Sequence, residues 1–340
     1  MVKIGQIGVG YWGPNLLRSF YDIENVEVKK VVDKNPDRQK YVKQKYGSIE
    51  TGEDINEIVE DKEIDAVIVS TPADLHYEMV KKVLLSNKHC YVEKPLALRT
   101  TEAGELVKIA EEKGLILMVG HIFLYNAAVN DLKKRISNGE LGKIYYIYSQ
   151  RLNLGRVRSD VNALWNFGPH DISIVLYLLE KMPVTVSASG MSYIQEGIED
   201  VVFMNMKFSD GTIAHFHVSW LDPNKTRIMT IIGSKKMIIY DDTSDYKLQI
   251  FDKGIDVNSK NQYLGDFDSF GKFQLIKRAG DITIPKIDFV EPLKSEALHF
   301  IECIEKRKRP LSDGESGLRV TQIIEAAMES LNNKSVEVKI

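Results

Sequence analysis

The lysine at position 94 has the clearest potential for chemistry in this sequence. It stands in the tripeptide Glu93-Lys94-Pro95, directly after an apolar run that is typical of a strand, and its neighbours restrict its backbone. A lysine at the carboxyl end of a parallel strand can bind a ligand hydroxyl group and stabilise the negative charge that develops on the oxygen. The alternative is an ordinary surface lysine, and the tripeptide alone does not decide between the two.

An asparagine and a histidine four positions apart form a second candidate site. Asn166 and His170 lie in the segment Ala163-Leu-Trp-Asn-Phe-Gly-Pro-His-Asp171. Its turn residues predict that both stand before or at the start of a helix that continues to Leu179, where polar side chains often converge on a ligand. Histidine titrates near neutrality, so His170 could accept a proton from a hydroxyl group while hydride leaves the same carbon. A histidine that caps the helix is the alternative.

Three arginines precede this segment in what we expect to be a loop. Arg151, Arg156 and Arg158 carry guanidinium groups, which bind phosphate or carboxylate through paired hydrogen bonds. This pattern favours an anionic substrate. A solvated basic loop whose arginines pair with Asp160 or Glu199 is the alternative.

These side chains need a scaffold, and the start of the chain predicts one. A strand from Lys3 to Ile7 runs into Gly8, Gly10 and Gly13, and a helix from Pro14 to Tyr21 follows. In this setting Gly-x-Gly-x-x-Gly is typical of a dinucleotide-binding unit, because glycines allow the tight turn, the approach of a pyrophosphate and close packing of the helix. The diphosphate would lie at the N-terminus of the helix.

The acidic residue that ends the second strand indicates which dinucleotide is bound. Asp33 lies about 20 residues beyond the last glycine, the distance at which a carboxylate meets the ribose hydroxyl groups of adenosine. A carboxylate would repel a ribose phosphate, so we expect NAD, with NADP less favoured. Tyr11 and Trp12, inside the glycine turn, are expected to border the same site. A glycine turn without a ligand is the alternative.

Up to residue 120 the sequence alternates between strands and helices. Asp65–Thr71 is a continuous apolar run, typical of a parallel strand covered on both faces. We therefore predict an α/β Rossmann domain over residues 1–120, with a doubly wound parallel sheet whose strand ends line one crevice. The elements expected after residue 33 are helices at 36–46, 54–60, 74–86 and 100–113 and strands at 65–71, 89–92 and 115–119.

Beyond residue 120 strands follow one another, and Ser209-Asp210-Gly211 is a hairpin signal. This predicts a C-terminal α+β domain, residues 121–340, with a large, mostly antiparallel open sheet for substrate binding. One sheet face would cover its own helices and the other would meet a second subunit, giving a homodimer or homotetramer. The expected strands are 144–152, 185–193, 201–208, 212–220, 227–240, 248–252 and 336–340, and the expected helices are 126–137, the one ending at 179, 293–307 and 314–331.

Composition limits the partners and the compartment. The 340 residues carry a net charge of −3, which gives no support for nucleic acid as a partner. The cysteines Cys90 and Cys303 are too few for a disulfide framework. The chain begins almost at once with a strand and has no apolar run of membrane-spanning length, so we expect a cytoplasmic protein without membrane contact. His215 and His217 alternate on a strand without a third ligand at matching spacing, so no metal site is expected.

Together these motifs resemble those of the glucose–fructose oxidoreductase, inositol dehydrogenase and MocA family (GFO/IDH/MocA) of sugar dehydrogenases. The resemblance covers nearly the whole chain. The motifs that carry it are Gly8, Gly10 and Gly13 with Asp33, Thr71-Pro72 with His76, Glu93-Lys94-Pro95, Gly120-His121 and Gly168-x-His170.

The resemblance implies roles for residues in both predicted domains. Lys94 and His170 would be catalytic, with His170 as the acid/base, and we add Asn166. The residues implied at the cofactor are Gly8, Gly10, Tyr11, Trp12, Gly13, Asp33, Thr71, Pro72, His76, Glu93 and Lys94. Those implied at the substrate are Lys94, His121, Arg151, Arg156, Arg158, Asn166 and His170.

Asn166 is a departure from the family pattern, which usually has an aspartate four residues before the histidine. An amide cannot stabilise an imidazolium by charge, so His170 is expected to have a lower pKa or a different tautomer. Asp171 does not replace that aspartate, because a side chain one residue along a helix points elsewhere.

We therefore expect an NAD-dependent oxidoreductase that transfers hydride between nicotinamide and a ring carbon of a sugar or nucleotide-sugar. Family members that oxidise UDP-linked sugars at C3 are similar in their arginines. One alternative is a glycosidase that uses NAD in a transient redox cycle. Another is a non-catalytic regulator that senses dinucleotide, although a sensor would not need Lys94 and His170.

Overall fold

A six-stranded sheet forms the first part of the chain in the computed structural model, which describes residues 1–155, 157–256 and 276–340. Its strands pair in parallel throughout, in the order third, second, first, fourth, fifth, sixth. This confirms the predicted doubly wound sheet. The elements are β1 (Val2–Ile7), α1 (Gly13–Tyr21), β2 (Val26–Val32), α2 (Pro36–Lys45), β3 (Glu50–Gly52), α3 (Asn56–Val59), β4 (Ala66–Val69), α4 (His76–Leu85), β5 (His89–Glu93), α5 (Thr100–Glu112) and β6 (Leu117–Gly120).

A nine-stranded sheet dominates the remainder. Its elements are α6 (Ala127–Ser137), β7 (Ile144–Leu152), α7 (Ala163–Leu179), β8 (Thr185–Met191), β9 (Val201–Lys207), β10 (Ile213–Ser219), β11 (Thr226–Gly233), β12 (Met237–Asp241), β13 (Leu248–Asp256), β14 (Ile276–Thr283), α8 (Pro292–Lys306), α9 (Gly314–Asn332) and β15 (Val338–Lys339). The strand order is β14-β13-β12-β11-β7-β10-β9-β8-β15, and every pair except β7 with β10 is antiparallel. The predicted mostly antiparallel sheet is confirmed.

Both sheets bury apolar side chains on the faces that helices cover. All four residues of β4 are fully buried, as expected for a parallel strand between two helical layers. Helix α8 returns to the first sheet, where Phe300 packs against Phe20 and Tyr91. A helix from beyond residue 120 thus completes the core of the first sheet, and the domain boundary at that residue stays a prediction.

Helix α7 begins earlier than expected, which corrects the positions of two candidate residues. The side chain of Asn162 accepts a hydrogen bond from the N–H of Trp165 at 3.0 Å and caps the helix. Asn166 therefore lies in the first turn and His170 in the second, both inside the helix. One helical turn separates them, so their side chains share a face.

Three other expectations need correction. Arg151 lies in β7, as the expected strand 144–152 requires, with its side chain facing α7, and not in the loop expected for the three arginines. The run 227–240 is two strands, because the chain turns at Ser234 and Lys235 between β11 and β12. Strands β3 and β14 were not predicted, since the first has only three residues and the second, Ile-Lys-Arg-Ala-Gly-Asp-Ile-Thr, is interrupted by polar residues.

Strand β10 alternates between the two faces of the second sheet as predicted. Ala214, Phe216 and Val218 are buried, whereas His215 and His217 lie on the opposite face against the ring of Phe203. In the described parts of the chain no helix is long and apolar enough to cross a bilayer.

Candidate active site

The turn after β1 requires residues without side chains. Gly8 has a φ of +90°, and a Cβ atom there would lie 2.8 Å from the carbonyl oxygen of Ser70. A Cβ atom on Gly13 would lie 2.7 Å from the carbonyl oxygen of Gly8, so this glycine allows α1 to pack closely. At Gly10 the nearest atom to such a Cβ would be the Arg38 guanidinium, at 3.5 Å. The space at Gly10 is therefore open to a ligand.

A buried glutamine holds this turn, and it was not identified from the sequence. The Nε2 atom of Gln6 donates to the carbonyl oxygens of Gly8 and Gly13, each at 2.9 Å. The hydroxyl group of Ser70 also donates to the Gly8 carbonyl, at 2.7 Å. The available signal was a polar residue near the end of the strand Val-Lys-Ile-Gly-Gln-Ile, just before the glycine turn.

Asp33 lies beside the turn with its carboxylate largely buried. Its Oδ2 atom accepts from the N–H of Val9 at 2.7 Å, and its Oδ1 atom accepts from the N–H of Asn35 at 2.9 Å. The guanidinium of Arg38 is 3.4 Å from Oδ2, and its side chain is 46% exposed. The mouth of the site thus presents the Asp33 carboxylate, which suits ribose hydroxyl groups. It also presents the Arg38 guanidinium, which was not identified from the sequence and could bind a phosphate.

Thr71, Pro72 and His76 form the next wall of the crevice. Nδ1 of the buried His76 lies 2.6 Å from the carbonyl oxygen of Pro95, and Nε2 lies 2.9 Å from that of Thr71. His76 therefore joins the loop after β4 to the loop after β5. The Thr71 hydroxyl oxygen is buried, and among the described residues it has no hydrogen-bond partner.

These features fit a bound dinucleotide. A glycine turn with open space, a carboxylate at its mouth and an unpaired buried hydroxyl group match what diphosphate, ribose and nicotinamide groups require. Tyr11 and Trp12 border the turn and are exposed. In residues 1–155, 157–256 and 276–340, no three His, Cys, Asp or Glu side chains form a group that could hold a metal ion.

Lys94 joins the two sheets at the end of β5. Its Nζ atom donates a hydrogen bond to the main-chain carbonyl oxygen of Asn166 at 2.9 Å. Burial lowers the pKa of Lys94 and raises that of Glu93; the charge of Glu93 opposes the shift of the lysine, and Arg158 and Arg151 add to it. A lysine held in this way is a strong hydrogen-bond donor to a ligand oxygen.

Gly120 explains why His121 can lie beside this lysine. A Cβ atom at Gly120 would be 2.7 Å from the Tyr91 hydroxyl oxygen and 3.2 Å from a carboxylate oxygen of Glu93. Only glycine fits beside these two side chains at the end of the parallel pair of β5 and β6. The side chain of His121 follows, buried and near enough to Lys94 for the charge of the lysine to lower its pKa.

His121 and His170 contribute buried ring nitrogens without protein partners. Both nitrogens of His121 and the Nδ1 atom of His170 have no hydrogen bond within the described part of the chain. Burial lowers the pKa of His121 to about 3 and that of His170 well below its usual value, and the charge of Lys94 lowers both further. An unpaired buried polar group costs about 1–3 kcal/mol, so this arrangement is suited to ligand hydroxyl groups.

The predicted arginines have acidic partners. Arg151 binds Asp171 through two hydrogen bonds of 3.0 and 2.7 Å, with both residues buried. Both carboxylate oxygens of Asp171 are thus engaged by Arg151. Arg158 binds Asp160, with one hydrogen bond of 2.8 Å. Arg156 lies outside the described residues.

Comparisons with known proteins agree with this geometry. Residues 2–121 match the family model of an oxidoreductase family with an NAD-binding Rossmann fold, GFO/IDH/MocA. Residues 129–239 match the GFO/IDH/MocA C-terminal domain.

Three relatives illustrate the range of matches. An uncharacterized oxidoreductase of Streptococcus pneumoniae is 29% identical over 228 residues, 63% of this chain and 61% of that protein. A scyllo-inositol 2-dehydrogenase (NADP(+)) of Bacillus subtilis is 27% identical over 98% of this chain and 94% of its own. The UDP-N-acetylglucosamine 3-dehydrogenase of Acidithiobacillus ferrooxidans is 28% identical over 56% of this chain and 60% of its own length.

The solved structure of the Acidithiobacillus enzyme has the same fold, with a TM-score of 0.78 over 97% of this chain and 98% of that one. The two sheets, the glycine turn and the two family models lead to one conclusion. This chain belongs to the GFO/IDH/MocA family.

Proposed function

We propose that this protein is a nicotinamide-dependent oxidoreductase acting on a ring carbon of a sugar or nucleotide-sugar. The observation that carries the proposal is the proximity of Lys94, His121 and His170, seen in their mutual effects on pKa, together with three buried ring nitrogens that lack partners among the described residues. The bound dinucleotide supplies the nicotinamide that accepts or releases hydride. The family membership supports the proposal.

The side chains divide the remaining work. His170, kept neutral by burial and nearby cations, accepts the proton of the reacting hydroxyl group. Lys94 donates a hydrogen bond to the same oxygen and stabilises its developing charge. His121 binds a neighbouring hydroxyl group, and Asn166 positions His170 and the substrate from the preceding turn. Arg158, whose charge helps to lower the pKa of Lys94, contacts a more distant part of the substrate.

The proposed cofactor is NAD, held by the glycine turn, Asp33, Thr71 and Glu93. The carboxylate of Asp33 supports NAD over NADP by repulsion of a ribose phosphate. The exposed guanidinium of Arg38 favours some affinity for NADP. Fluorescence titration with NADH and NADPH measures the ratio, and tighter binding of NADPH would overturn the role of Asp33.

The function is tested by screening free sugars, cyclic polyols and UDP- or dTDP-linked sugars for reduction of NAD. We expect turnover with at least one, and loss of at least 100-fold in Lys94→Ala and in His170→Ala. Wild-type turnover in both variants would refute the assignment. Release of a free sugar without net reduction of NAD would indicate the glycosidase alternative. Binding of the dinucleotide without turnover of any sugar would indicate a regulator.

We also propose self-association through the open face of the second sheet. Tyr146, Tyr148 and Phe203 are 45%, 36% and 40% exposed there, which supports a covered apolar surface. The free thiols of Cys90 and Cys303 support a reducing compartment such as the cytoplasm. Light scattering should give the mass of a dimer or tetramer, and a monomer at micromolar concentration would refute the proposal.

A further inference from the structure

Arg227 lies opposite Arg151 in the second sheet. The two residues are direct partners in the antiparallel pair of β11 and β7, so their side chains emerge on the same face. Arg151 marks that face, because its guanidinium binds Asp171 of α7 and lies 4.5 Å from the ring centre of Phe123. The Phe123 ring in turn lies 5.0 Å from that of His170. Arg227 therefore stands on the side of the sheet that faces the proposed site.

Asp242 holds Arg227 through one oxygen. The Nη1 atom of Arg227 donates to Oδ2 of Asp242 at 3.1 Å. The other carboxylate oxygen accepts from the Tyr240 hydroxyl group at 3.1 Å and from the Asn126 side chain at 3.5 Å. In the described parts of the chain, the Nε and Nη2 donors of Arg227 have no protein acceptor, and its side chain is 37% exposed.

This pair offers what a hydroxyl group needs. A hydroxyl group both donates and accepts hydrogen bonds, and a guanidinium beside a carboxylate provides donors and an acceptor at one place. The Oδ2 atom of Asp242 accepts a hydrogen bond from Arg227 and has a second lone pair for a ligand. That hydrogen bond fixes the plane of the guanidinium and so the directions of its other N–H groups.

The charge around Arg227 favours an uncharged ring. Among the described residues, three arginines near the pocket pair with aspartates: Arg151 with Asp171, Arg158 with Asp160 and Arg227 with Asp242. The aspartate of each pair offsets the charge of its arginine, and an anion at Arg227 would also meet the charge of Asp242.

We propose that Arg227, oriented by Asp242, determines specificity by binding hydroxyl oxygens of an uncharged ring at a distance from the reacting carbon. This inference rests on the proposed function, because it assigns a substrate group to the same pocket. Arg227 contributes binding energy in both ground state and transition state, so its loss raises KM more than it lowers kcat.

The test measures ligand binding to the NADH complex by calorimetry, with glucose, myo-inositol and UDP-N-acetylglucosamine as neutral-ring probes. Glucuronate and UDP alone test for an anion site. The variants are Arg227→Met and Arg227→Lys. Arg135→Met is the matched control, because Arg135 also pairs with an aspartate, Asp131, at 2.6 Å, but on the surface of α6.

We expect at least one neutral-ring probe to bind, with affinity reduced about tenfold or more in Arg227→Met and less in Arg227→Lys. NADH affinity and the binding of UDP alone should stay within about twofold, and Arg135→Met should behave as wild type. On any probe that turns over, KM should rise about tenfold with kcat within about threefold.

Three results would overturn the inference. The wild type binds none of the neutral-ring probes, or Arg227→Met binds a neutral-ring probe as tightly as the wild type does. The third is that Arg227→Met loses affinity for glucuronate or UDP and not for the neutral rings. A ring that binds through Arg227 without any hydride transfer would refute the proposed function and leave this inference standing. Hydride transfer with a KM that does not change in Arg227→Met would support the proposed function and refute this inference.

Discussion

The Nζ atom of Lys94 donates a hydrogen bond to the main-chain carbonyl oxygen of Asn166, at 2.9 Å. In a helix that carbonyl ordinarily accepts the N–H of the residue four positions later, which is His170. The contact thus joins the end of β5 in the first sheet to the turn of α7 that carries the histidine. This one hydrogen bond therefore fixes the position of Lys94 relative to the helical turn that carries His170.

Replacing Lys94 with methionine should lower kcat about 100- to 1,000-fold, because the pocket loses its donor to the developing oxygen charge. The length of the side chain is kept, so NADH affinity should change less than tenfold. Lys113→Met serves as the control, since Lys113 is exposed and bonds only Leu85 and Asn87 among the described residues. Steady-state kinetics should show no change there. A loss below threefold in Lys94→Met would remove the lysine from the mechanism.

Asn166→Asp should raise the pKa of His170. Burial and nearby cations now hold that pKa low, so the neutral, proton-accepting form persists at acid pH. A carboxylate one turn away stabilises the imidazolium, and we expect a shift of about one unit in the acid limb of kcat/KM for oxidation. His170 of the variant is then protonated at a higher pH than that of the wild type, so the variant loses activity sooner as the pH is lowered. The exposed-loop control Asn224→Asp should not move the profile, and an unchanged profile in Asn166→Asp would contradict the prediction.

Asp33→Asn should shift cofactor preference towards NADPH. The substitution keeps one acceptor oxygen and removes the charge that repels a ribose phosphate, while Arg38 remains 46% exposed beside it. The ratio of the NADPH to the NADH dissociation constant should fall about tenfold or more by fluorescence titration. Asp37→Asn, on the exposed first turn of α2, is the matched control. Equal ratios in all three proteins would show that Asp33 does not discriminate.

His121 should make the protein less stable in acid. Its folded-state pKa is lowered to about 3, against about 6.5 when unfolded, so the unfolded chain binds more protons below neutrality. The stability contribution is complete above pH 6.5 and is lost as pH falls towards 3. Between pH 7 and 5 the wild type should lose about 2 kcal/mol more than His121→Leu in urea denaturation. Parallel losses in the two proteins would mean that the histidine is protonated in the folded state.

Features that depend on short stretches of chain could be predicted from the sequence. The glycine turn follows from local geometry, since Gly8 has a φ of +90° and Gly13 meets the carbonyl oxygen of Gly8 within the same turn. The position of Lys94 follows from its place after an apolar strand of a parallel sheet. The residue roles built on these positions stay predictions until variants are measured.

Features that depend on distant residues could not be predicted. The pairing of Arg151 with Asp171 joins residues that become neighbours only when α7 packs on β7. The role of Gln6 depends on the folded turn, because its side chain binds the carbonyl oxygens of Gly8 and Gly13 only when the turn brings them together. Arg227 gains its position from strand register, which the merged run of 227–240 concealed.

Isotope transfer tests the central claim most directly. A sugar from the screen, deuterated at the carbon that is oxidised, is incubated with the protein and NAD, and the reduced nicotinamide is analysed by mass spectrometry. The account predicts one deuterium in the reduced nicotinamide of every turnover by the wild type, and at least 100-fold less in His170→Ala. Reduced nicotinamide without deuterium, or labelled product at the wild-type rate from His170→Ala, would contradict it.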